Sequence, residues 1–83
     1  MNDPRYWQEG DRDHIDVSMM EPPGPFVTIL RWLESPECGT EVVVHLSRDP
    51  IYLFPDLTER NWRWTYLKNT LGDVVLHLET CDN

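Results

Sequence analysis

With 83 residues, the chain is one domain with a thin core, because a chain of this size buries only about 60–65% of its unfolded surface; a deep catalytic cleft is not expected. Fifteen acidic against seven basic residues give a net charge of −8, which repels phosphate backbones and anionic membranes and attracts basic surfaces. No apolar run is long enough to span a bilayer and the Met1 end is polar and acidic, so neither a membrane segment nor a secretory signal is expected, and the cytoplasm is the expected setting.

Residues 1–25 hold six acids and two bases and close in a Pro-rich stretch at 21–25. Without a sustained helical or strand period they are expected to form an irregular acidic arm, partly docked. Ile15, Val17 and Met19 alternate as an edge strand would, and Tyr6, Trp7 and Met20 are too apolar for a purely solvating tail. Two readings stay open: a strand laid on the protein's own sheet, or a segment that orders on a partner.

Residues 26–83 read as a single antiparallel β domain. The stretch 26–33 is expected as its first strand, although Phe26, Ile29, Leu30 and Leu33 also fit a helical stripe behind Pro25. A turn over 34–39 leads to 41–48, where Val42, Val44 and Leu46 alternate with Val43, His45 and Ser47. Asp49 and Pro50 break the run, 51–54 resumes it as a short strand, and 55–61 is a polar connection with room for one helical turn capped by Asp56. In 62–68, Trp62, Trp64, Tyr66 and Lys68 share one face and Arg63, Thr65 and Leu67 the other; a turn over 69–73 returns the chain into 74–80. The predicted fold is mainly β: a small antiparallel sheet or partly open barrel of about five strands, with room for one short helix and with the irregular acidic arm at its N-terminal side.

The sequence offers little to catalysis. It has no Gly-x-Ser-x-Gly elbow, no Gly-rich phosphate loop and no His-Glu-x-x-His, and its three histidines are scattered. No catalytic residue, cofactor or metal is expected. Cys38, His45, His77 and Cys81 are metal-competent, but their spacing matches no zinc module; the cysteines are expected reduced, with a Cys38–Cys81 disulfide as the lesser alternative. The rings of Trp62, Trp64 and Tyr66 beside Arg63 and Lys68 resemble a nucleobase-stacking platform. At −8 the chain lacks the basic groove such a platform needs, so the rings are assigned to the core and direct nucleic-acid binding is not expected.

What remains is recognition by carboxylates and rings. The expected partner-binding residues are the rings Tyr6, Trp7 and Trp32, the arm acids Glu9, Asp11, Asp13, Asp16 and Glu21, and the turn acids Glu34 and Glu37. In size, acidity and a loose strand order over 41–45, 51–54, 62–67 and 74–78, the chain resembles the small acidic inhibitors of phages and mobile elements, such as uracil-DNA glycosylase inhibitors and anti-CRISPR proteins; no residue role carries over. That resemblance implies a non-catalytic inhibitor, phage or mobile-element encoded and acting in the host cytoplasm. It would block a bacterial nucleic-acid-binding enzyme or effector complex, as a DNA mimic does. The alternative is a structural or regulatory adaptor that pairs a strand edge with a protein partner or with a second copy as a homodimer.

Overall fold

The computed structural model describes residues 4–21 and 24–81; Pro22 and Pro23, in the Pro-rich close of the expected arm, lie outside them. Seven elements follow in order: β1 (Arg5–Glu9), β2 (Arg12–Asp16), α1 (Gly24–Leu33), β3 (Glu41–Leu46), α2 (Phe54–Glu59), β4 (Trp62–Thr70) and β5 (Asp73–Thr80). The strands form one sheet in the order β1-β2-β3-β5-β4, with β1 and β4 at its edges. The fold is mainly β with five strands, as expected from sequence, but the sheet is mixed. β2 and β3 run parallel, Ile15 beside Val44, and the other neighbours are antiparallel.

That parallel pair corrects the reading of 26–33 as a strand. Parallel neighbours need a crossover between them, and α1 is that crossover. Its buried positions Pro25, Ile29 and Leu33 follow the helical stripe, and Pro25 sits in the first turn, where a missing N–H costs nothing. The helix stops where Glu34 N–H donates to Leu30 and Ser35 N–H to Trp32, just before Pro36.

The expected irregular arm is likewise built into the sheet. β1 and β2 form a hairpin in the register Tyr6 to Ile15 and Trp7 to His14. Gly10 turns the hairpin at φ +65°, a conformation that favours glycine. Ile15 and Val17 are fully buried, whereas Met19 is exposed, because the strand ends at Asp16 and Val17 continues the pairing only through a bond to the His45 carbonyl.

The expected short strand at 51–54 is a turn instead. Leu53 N–H bonds to the Pro50 carbonyl and Leu57 N–H to Leu53, winding the chain into α2. This helix starts at Phe54, so Asp56 lies in its first turn and is not its cap. In β4, Trp62 is buried in the core and Trp64 stacks on Phe54 at 4.3 Å. A bulge between Tyr66 and Lys68 then shifts the register, so Lys68 pairs with Val75 and no longer shares the face of Tyr66. β4 and β5 are joined through Leu71 and Gly72, the latter at φ +80°.

One cluster joins Ile15, Val42, Val44, Leu76 and Leu78 of the sheet to Ile29 and Leu33 of α1 and Leu57 of α2. Both helices therefore cover the same face. The opposite face has no helix among the described residues and carries all three histidines.

Candidate functional site at the β1 edge

β1 has one neighbour, β2, so the backbone groups along its outer side meet no strand. Because strand residues alternate, Tyr6 and Gln8 project to the helix side, whereas Arg5, Trp7 and Glu9 project to the open face; the register to buried Ile15 fixes this. Tyr6 meets Trp32 of α1 with ring centroids 5.1 Å apart. Trp7 lies over His14 at 5.1 Å and His45 at 5.2 Å, nearly parallel to both. These rings stay accessible, Tyr6 at 50% and Trp7 at 39%.

A shallow groove of about 270 Å³ runs along this edge, lined by both rings, Gln8, Asp13, Trp32 and Glu37 among others. The structure thus brings together five of the sequence-predicted residues: Tyr6, Trp7, Asp13, Trp32 and Glu37. The Trp32 Nε1 donor is buried and has no hydrogen-bond partner among the described residues, and such a donor is costly to leave unmet.

The predicted carboxylates have mixed fates. Asp13 is buried and accepts hydrogen bonds from Gln8 Nε2 at 2.9 Å and Gly39 N–H at 3.0 Å. Asp16 accepts the Ser18 N–H and hydroxyl, Glu34 pairs with Arg60 at 2.7 Å, and Glu9 lies 3.5 Å from His14 Nε2. Asp11 and Glu37 are exposed. Glu21 is exposed beside a different cavity, of about 390 Å³, that the sequence reading missed.

Sequence reasoning also missed a histidine pair, since parallel pairing of β2 with β3 places residues 31 apart in contact. His14 Nδ1 and His45 Nε2 are 3.1 Å apart, so one ring donates and the other accepts. Burial pushes His45 below its ordinary value and His14 adds to this, while Asp16, Asp73 and Glu9 pull the other way. The metal-competent residues sort differently from their sequence grouping. Cys38 and Cys81 are free thiols; burial and then the charge of Asp13 push Cys38 up to about 11, which keeps it protonated. Glu41, His77 and Glu79 bring donor atoms within 4.8 Å of one another and could hold a divalent cation. Those carboxylates are already engaged, by Arg12 at 3.6 Å, Arg63 at 3.0 Å and His77 at 2.8 Å.

No helix of the described residues is long and apolar enough to cross a membrane. No curated protein and no solved structure matches the chain. The profile of a family described as uncharacterized conserved protein, DUF2249, matches residues 14–80, which runs from β2 through β5 and leaves β1 outside the match. That match spans more than half of the chain, and the chain belongs to this family.

Proposed function

We propose that the protein is a non-catalytic binding module that takes a basic, extended segment of a partner protein along the β1 edge. The observation that carries this reading is the coincidence of an unpaired strand edge with a groove of accessible rings. An added strand gains main-chain hydrogen bonds, and pockets for alternate side chains give it specificity. Tyr6 and Trp7 offer ring faces to an arginine or lysine, Glu37 offers a carboxylate, and the net charge of −8 steers a basic segment inward.

The narrower reading, an inhibitor that occludes a nucleic-acid-binding enzyme, draws its support from the same charge. The engagement of Asp13, Asp16 and Glu34 within the fold leaves fewer arm and turn acids for phosphate mimicry. Strand-edge recognition is therefore the better-supported form, with the cytoplasm as its setting.

The test compares the tagged chain with a Tyr6→Ser/Trp7→Ser variant in pull-downs from nuclease-treated lysate, eluted in salt steps. A partner held by the wild type and lost from a variant with an unchanged circular dichroism spectrum supports the reading. Equal capture by both proteins would place the interface elsewhere. Release at moderate salt indicates that charge dominates, and retention at high salt indicates edge pairing and ring burial.

A further inference from the structure

β2 and β3 run parallel and end side by side, and the cavity of about 390 Å³ lies just beyond their carboxyl ends, beside the start of α1 and the loop after β3. Its size falls within the ordinary small-ligand range of ~300–1,000 Å³. Val17, Leu46 and Pro25 line it from the core, with half-buried Met20 and Phe26 beside them, and Glu21, Arg48 and Asp49 add charge.

The charged groups decide what fits. Arg48 makes no ion pair and no side-chain hydrogen bond with a described residue, whereas Arg12, Arg60, Arg63 and Lys68 are each paired. A planar guanidinium with free donors suits a carboxylate held by two parallel bonds. The start of α1 competes little for that anion, because Pro25 lacks an N–H and the Gly24 N–H donates to the Glu21 carbonyl. Glu21 and Asp49 bring two negative charges to the same cavity; Asp49 accepts the Tyr66 hydroxyl at 2.5 Å, which still leaves its charge in place. A simple anion meets repulsion there, and a simple amine leaves Arg48 unanswered. A molecule with both charges next to one another and an apolar body answers Arg48, the carboxylates and the core-side lining together.

We propose that this cavity is a binding site for a small zwitterion with an apolar side group, the class of the free apolar α-amino acids. The carboxylate lies on Arg48, the ammonium faces Glu21 and Asp49, and the side group covers Val17, Leu46 and Phe26. The site is separate from the β1 edge and does not depend on that reading.

Titration calorimetry of the full chain with L-phenylalanine and L-leucine tests it, alongside 3-phenylpropionate, which lacks the ammonium, and 2-phenylethylamine, which lacks the carboxylate. Saturable binding of the amino acids is expected, with each single-charge analogue weaker by about tenfold or more. Arg48 is exposed, so Arg48→Met should keep the wild-type unfolding temperature while weakening L-phenylalanine by about tenfold or more; Glu21→Gln should weaken it less. Absence of saturable binding by either amino acid overturns the proposal. So does phenylpropionate binding as tightly as phenylalanine, or an Arg48→Met variant that binds unchanged.

Discussion

The two faces of the sheet are made by the same five strands from opposite residue sets. Under the helices, Ile15, Val42, Val44, Leu76 and Leu78 form a continuous apolar layer without measurable exposure. On the open face, a row runs from Glu9 and Arg12 through Glu41 and Glu79 to Arg63, acid beside base except where Glu41 pairs with Glu79. The next row places Trp7 beside His14 and Val43 beside His77. Burial on the covered face contributes by removing apolar area from water, about 25 cal/mol per Å². Pairwise charge on the open face contributes little each time, because water competes for every partner. The covered face therefore carries the stability of the fold, and the open face and its edge can be spent on recognition.

The largest expected effect tests the covered face. Leu76→Ala should cost about 2–5 kcal/mol, the usual range for truncating a fully buried leucine, as read by urea unfolding. A loss below about 1 kcal/mol would mean that the layer is not the close-packed core described above.

A middle-sized effect belongs to the histidine pair. His45 sits below its ordinary value near 6.5 in the fold, so the unfolded chain binds more protons there as the solution acidifies. Stability should be undiminished above about pH 6.5 and fall as the pH drops below it. Thermal unfolding of the wild type and of His45→Asn at neutral and mildly acidic pH reads this: the variant should lose part of the acid sensitivity. Parallel pH profiles would remove His45 as a cause.

The smallest effect sharpens the contrast from the open side. Arg63→Ala breaks its 3.0 Å pair with Glu79, yet Arg63 is largely exposed and the expected cost is about 0.2–1 kcal/mol, shrinking with added salt. A cost equal to that of Leu76→Ala would erase the distinction between the faces.

The legible parts of this fold were those whose periodicity and turns are local. The alternation of Val42, Val44 and Leu46 marked β3, and the rings of Trp62 and Trp64 with Gly72 ahead marked the β4–β5 hairpin. The sequence 26–33 misled because Val27, Thr28 and Ile29 are β-branched, while its apolar spacing fits both periods. Only the parallel pairing of β2 and β3 decides for a helix there, and no short window of sequence contains that pairing. The β1–β2 hairpin was obscured because one of its faces is charged and its inward residues, Tyr6, Gln8, Asp13 and Ile15, alternate ring with polar group. The rings of the candidate site were visible one by one. Their convergence was not, since Trp32 reaches Tyr6 only through the path of α1. The cavity at Arg48 was invisible for the same reason.

The strand order also sets a sequence of events. β4 and β5 close across two residues, Leu71 and Gly72, and need little loop entropy to meet. β3 meets β5 across residues 47–72 and β2 meets β3 across residues 17–40, closures of similar length, but β3 and β5 are each paired on both sides whereas β1 is paired on one. Amide exchange followed strand by strand should therefore show its slowest protons in β5 and β3 and its fastest in β1. β1, exposed along its whole length and paired on one side only, is then the first part of the sheet to open, while the β3–β5–β4 half holds.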